Sequence, residues 1–148
     1  MSASPSSPTS GRIVEGAHVL PLRVYYEDTD AAGVVYYANY LRYMERARTE
    51  WLEHLGFPLA AFEKSHAAVF VVHRVTIDYR RPAALNDALD VTVEVVDRGG
   101  SRLVLRQSVR RGADVLTDAT VHLACVDATT LRPRRIPAPL VAVLEKLH

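Results

Sequence analysis

Two aspartates, Asp28 and Asp30, stand two residues apart in the run Tyr25-Tyr26-Glu27-Asp28-Thr29-Asp30, which leads through Gly33 and Val34-Val35-Tyr36-Tyr37 to Ala38-Asn39-Tyr40. The run lies where a strand-like pattern ends and a helical one begins. A helix start offers backbone N–H groups without partners and the positive end of the helix dipole. A carboxylate facing that point can supply a base or a nucleophile while the N–H groups polarise a carbonyl. This is the chemistry of acyl transfer.

The elements that must hold these groups are legible from periodicity. His18 to Tyr26 alternates, with Leu20, Leu22, Val24 and Tyr26 of one parity, and reads as a strand. Pro21 suits an edge or a strand beginning. After Gly33 the apolar residues Tyr40, Met44, Ala47, Trp51 and Leu55 recur at three- and four-residue spacing, so a helix of about twenty residues is expected. Leu55-Gly56-Phe57-Pro58 closes it with a glycine exit and a proline. Phe57 to Lys64 reads as a further short helical turn. The strands expected after that are Ala68 to Arg80, the run alternating through Leu89, Val91, Val93 and Val95, then Arg102 to Arg111 and Val115 to Val126. A short helix from Leu140 to Leu147 ends the chain. The expected architecture is α+β, a curved antiparallel five-stranded sheet wrapped around one long helix, an order that resembles the hotdog fold. Hotdog subunits usually pair so that an exposed edge strand is covered, and this resemblance implies a homodimer or homotetramer.

At 148 residues, with 49% apolar and 24% charged side chains, the chain suits one domain with a full core. Its first ten residues hold five serines and two prolines. A disordered tail over 1–16 and a single domain over 17–148 are the expected boundaries. The tail resembles neither a signal peptide nor an anchor, and no window approaches the ~18 apolar residues of a spanning helix. With its single cysteine, Cys125, the chain reads as cytoplasmic. A net charge of +1 gives no general attraction to nucleic acid, and no aromatics interleave with the arginines.

The bland readings carry most other candidates. Cys125 shares strand parity with Val121 and Leu123, while His122 falls on the opposite face, so Cys125 reads as a small core residue rather than a nucleophile. His73 reads as a core or interface histidine, and the six histidines show no metal-ligand spacing. Asp28 is assigned to the turn. Asn39 and Tyr40 are assigned to holding the first turn of the helix, and Glu45, Arg46, Arg48 and Glu50 to a solvated helix face.

The segment from Arg23 to Phe57, with its Glu-Asp-Thr-Asp, Gly-Val-Val-Tyr, Ala-Asn-Tyr and Glu-Arg-Ala-Arg-Thr-Glu elements, resembles the acyl-CoA thioesterases associated with the Tol-Pal system. It is more distantly similar to the hydroxybenzoyl-CoA thioesterases. Phe70-Val71-Val72, Ile77-Asp78-Tyr79 and Cys125-Val126-Asp127 extend the likeness. The resemblance implies hydrolysis of an acyl-CoA to a carboxylate and free coenzyme A, with no cofactor or metal. It implies Asp30 as the catalytic carboxylate, Tyr37 as the residue whose backbone N–H meets the thioester carbonyl, and Tyr26 as a wall of the site. Many Tol-Pal-associated members carry a histidine where this chain has Tyr37, whereas the hydroxybenzoyl-CoA relatives carry an aromatic. Gly33, Val35 and Tyr36 of the same string, with Arg74, Ser101, Arg102 and Arg134, are the expected substrate contacts, the arginines because their forks suit the phosphates of coenzyme A. Acyl carrier protein thioesters are a further expected partner. A non-catalytic acyl-CoA sensor is the alternative from another class, and a dehydratase would need a histidine near the helix start, which this chain lacks.

Overall fold

The computed structural model describes residues 11–147. In chain order its elements are β1 (Arg12–Val14), β2 (Ala17–Arg23), a 3-10 turn (Tyr26–Asp28), α1 (Asn39–His54), α2 (Leu59–His66), β3 (Ala68–Tyr79), β4 (Ala88–Arg98), β5 (Arg102–Arg111), β6 (Asp114–Asp127) and α3 (Ala138–Glu145). The strands form one sheet in the order β1-β2-β4-β5-β6-β3, with every neighbouring pair antiparallel.

The sheet has six strands rather than the expected five, because the tail orders earlier than expected. Glu15 and Gly16, both at positive φ, form a two-residue turn that folds Arg12–Val14 back onto Ala17–Val19. The expected tail through Gly16 is corrected accordingly, and its residues 1–10 lie outside the described residues. Since β1 reaches only Val19, β2 is already an outer strand at Pro21, where the missing N–H costs no ladder bond.

Helix α1 lies across one face of the sheet. Tyr40, Tyr43, Met44, Ala47, Trp51 and Leu52 are its buried side, packed in one cluster with Leu20, Leu89, Val91, Leu103, Leu105, Val109 and Leu116. Full burial stabilises a side chain such as Met44 by about 1.5–3 kcal/mol over exposure. The helix runs sixteen residues and ends as its sequence implies. The Phe57 N–H reaches back to the Leu52 carbonyl at 2.8 Å and the Gly56 N–H to Glu53 at 3.0 Å, with Gly56 at φ +95°.

A buried polar clamp fixes α1 to the sheet. The fully buried Gln107 of β5 donates to the Met44 carbonyl at 3.0 Å and to the Thr92 carbonyl at 3.3 Å. Its oxygen accepts from the Arg48 guanidinium at 2.9 Å. With its amide satisfied on both sides, Gln107 sits in the core without an unpaired group.

Strand β3 holds the other departure from simple alternation. His73 is an extra residue between Val72, paired with Leu123, and Arg74, paired with His122. This bulge flips the parity: Phe70 and Val72 face α1 before it, Val75, Ile77 and Tyr79 after it. Unbroken alternation would put Val69 and Val71 on the face of Val75, whereas with the bulge they face the opposite side. His73 itself is exposed and is not a core residue.

Candidate active site

The segment between β2 and α1 is tied down through its backbone. The Val24 N–H donates to Asp87, the Asn86 N–H to Val24 and the Val35 N–H to Ala83. Asp28 is a structural member of this segment. Its carboxylate accepts the Tyr25 N–H at 2.9 Å. Its carbonyl takes both the Tyr36 N–H at 3.0 Å and the Asn39 amide at 2.8 Å. Burial, and next the nearby Asp28, push the Tyr43 phenol well above its usual range. Asn39 and Tyr40 therefore hold the first helical turn as expected, Tyr40 by accepting the Ala83 N–H on its hydroxyl at 3.0 Å.

Asp30 is placed differently. It opens a tight turn in which its N–H meets the Val34 carbonyl at 2.9 Å and its carbonyl takes the Gly33 N–H at 3.0 Å. Gly33 closes the turn at φ +80°, a conformation that favours glycine. One carboxylate oxygen accepts the Ala32 N–H at 2.9 Å. The side chain is exposed and pairs with no cation among the described residues. One face of this carboxylate is thus oriented by the backbone while the other stays open.

At the start of α1 the chain winds tightly, with the Asn39, Tyr40 and Leu41 N–H groups donating to the Tyr36, Tyr37 and Ala38 carbonyls. The Tyr37 and Ala38 N–H groups take no acceptor among the described residues. They stand at the positive end of α1, where an anionic oxygen is stabilised by both the donors and the dipole. Beside them is a cavity of about 240 Å³ lined by Val35, Tyr37, Tyr40, Tyr79, Arg80, Arg81 and Pro82. The Tyr37 ring, 62% exposed, packs on Tyr36 with centroids 4.8 Å apart and meets Tyr79 edge-on.

Of the expected site residues, Val35 and Tyr37 line this cavity, Tyr36 packs against Tyr37, and Asp30 and Gly33 form the preceding turn. Asp30 is not itself a wall of the cavity within one subunit. Tyr26 is not a wall either: it sits in the 3-10 turn rather than in β2 and is 81% exposed. Arg74 is exposed on the side of β3 away from α1. Ser101, Arg102 and Arg134 do cluster with one another. The Ser101 carbonyl accepts the Cys125 N–H, and the Cys125 carbonyl accepts the Arg134 N–H. That cluster lies in register with Val71, roughly 25 Å along β3 from the Tyr79 end. Arg102 is paired there with Asp97 at 2.9 Å, and Arg134 donates to the His66 carbonyl at the end of α2. Tyr79, Ala38, Arg80 and Arg81 are the site residues that sequence reasoning missed.

Cys125 is fully buried, with its thiol directed at the Arg135 carbonyl at 3.8 Å. Burial raises its pKa, which disfavours the thiolate. Cys125→Ala is expected to retain wild-type turnover, and the native protein to keep its activity under iodoacetamide. Loss of turnover in both experiments would restore the cysteine as a nucleophile.

A sequence model described as the thioesterase-like superfamily matches residues 24–144. An acyl-CoA thioester hydrolase, YbgC, of Escherichia coli is 43% identical over 123 residues, covering 82% of this chain and 91% of that protein. An acyl-CoA thioesterase of Haemophilus influenzae is 40% identical over 135 residues, covering 91% and 99%. Among solved structures, a probable thioesterase from Bartonella henselae superposes with a TM-score of 0.78 at 33% identity, over 82% of this chain and 99% of that one.

Proposed function

The chain belongs to the thioesterase-like superfamily and is an acyl-CoA thioesterase, and we propose that Asp30 and the first turn of α1 carry its chemistry. The observation that supports this is the pair of main-chain N–H groups at the start of α1 without acceptors among the described residues, seven and eight residues beyond an exposed, backbone-oriented carboxylate. The thioester carbonyl oxygen lies against the Tyr37 N–H, which gains strength as that oxygen becomes anionic. Asp30 then removes a proton from water as the water adds to the carbonyl carbon, and the tetrahedral adduct expels the coenzyme A thiolate. The same carboxylate can instead attack directly, releasing the thiolate and leaving a mixed anhydride that water cleaves to the acid and free Asp30. In both routes one water is consumed, and one carboxylate, one thiol and one proton are formed. Tyr37 carries no imidazole to act as a base, so that task falls to Asp30. Within the superfamily, the Arg23 to Phe57 string supports the Tol-Pal-associated branch.

The smallest assembly this reading needs is a homodimer. β3 is a twelve-residue edge strand that carries the exposed Val71 and Val72. Antiparallel pairing of two such edges would exchange their ends. Ser101 and Arg102 of the partner subunit, and Arg134 of the partner subunit, would then flank the α1 start, where coenzyme A phosphates need cations. None of the described helices is long and apolar enough to cross a membrane, and the free, buried Cys125 supports our placing the protein in the cytoplasm.

Thiol release from short-chain, long-chain and aromatic acyl-CoAs, and from an acyl carrier protein thioester, tests the function. Cleavage of at least one is expected. A thioester bound tightly and left intact would overturn the reading in favour of a sensor.

A further inference from the structure

Tyr79 ends β3 directly against the first turn of α1. Its ring meets Tyr37 edge-on at 6.2 Å and Tyr40 at 5.6 Å, and its hydroxyl donates to the Tyr37 carbonyl at 3.3 Å. The Tyr40 N–H shares that acceptor, also at 3.3 Å. This carbonyl belongs to the peptide joining Tyr37 to Ala38, whose opposite end is the Ala38 N–H, one of the two donors without an acceptor. A peptide is planar with its C=O and N–H opposed, so fixing the carbonyl fixes the direction of the N–H. A donor on the carbonyl also polarises the peptide and strengthens its N–H, by ~10–30% per bond.

We propose that Tyr79 is a positioning residue for thioester cleavage: its hydroxyl holds and polarises the Tyr37–Ala38 peptide so that the Ala38 N–H joins the Tyr37 N–H on the developing oxyanion. The inference rests on the proposed function of the α1 start. Burial raises the phenol pKa of Tyr79, which keeps the hydroxyl a proton donor through the neutral range. Tyr40 does not duplicate this task, because its hydroxyl serves the Ala83 N–H. The two tyrosines grip different sides of the same turn.

Tyr79→Phe isolates the hydroxyl, since the ring and its edge-on contacts remain. The expected result is a fall in kcat of about tenfold, less than the ~10²–10³ that accompanies loss of a direct oxyanion donor. KM and the unfolding temperature stay at wild-type values. A second readout is the infrared stretch of an isotopically labelled thioester carbonyl bound to the slow Asp30→Asn protein. That stretch is expected to shift down relative to free substrate, and to shift less when Tyr79→Phe is added. Unchanged kcat, a rise in KM alone, or equal carbonyl shifts would each overturn the assignment while leaving the hydrolase reading intact. A wild-type protein that cleaves no thioester would overturn both.

Discussion

Asp30→Asn is expected to lower kcat by about 10²–10⁴-fold, the range over which a positioned acid–base group acts, with folding and substrate affinity preserved. The asparagine is chosen for what it keeps. In the wild-type turn one Asp30 oxygen accepts the Ala32 N–H, and an amide oxygen can accept that bond equally well. The Asp30 backbone bonds to Val34 and Gly33 do not involve the side chain at all. What the substitution removes is the negative charge and the open oxygen lone pairs that would take a proton from water or attack a carbonyl carbon. Steady-state thiol release at saturating acyl-CoA, with a thermal unfolding curve beside it, separates the two effects. A variant that turns over normally would show that Asp30 only shapes the turn. The base would then have to come from elsewhere, and Asp28 is poorly placed for it, with its carboxylate on the Tyr25 N–H and its carbonyl under Asn39.

That contrast marks how far the chain could be read in advance. The change of period after Gly33 and the glycine exit at Gly56 are local signals, and each is realised where it was expected. Long-range features were not legible. Alternation in β3 could not reveal that His73 adds one residue to the ladder, because a bulge is defined by the partner strand. β1 is too short for any period to register, and only its pairing with Ala17–Val19 identifies it. Tyr79 could be assigned to the face of Val75 and Ile77. That its hydroxyl meets a carbonyl forty-two residues earlier depends on how α1 crosses the sheet. The two N–H groups without acceptors are the hardest of all to foresee, since an absent bond leaves no trace in residue type. Conversely, Ser101, Arg102 and Arg134 were expected as coenzyme A contacts on side-chain chemistry alone, and within one subunit they sit together at the far end of the sheet from Tyr37.

This separation makes the edge of β3 decisive, and a paired substitution there tests it. Val71→Lys with Thr76→Lys is expected to yield a folded monomer whose kcat/KM is lower by about a hundredfold or more, the scale on which misplaced substrate groups cost rate. Both residues are exposed and both lie on the side of β3 away from α1, with Arg74 between them. The added charges therefore leave the cavity beside Tyr37 untouched. Two copies pairing along this edge would bring one cationic row against another, and like charges directly opposed across a strand pair destabilise it. Sedimentation reports the mass, circular dichroism the fold, and thiol release the activity. If the monomer kept full activity, one subunit would hold a complete site and the partner's arginines would have no part in it. If the protein stayed dimeric, the subunits would meet elsewhere. Monomerisation with loss of turnover is the outcome that follows if a strand edge, left with one row of backbone groups unpaired, is where a second copy completes the binding of coenzyme A.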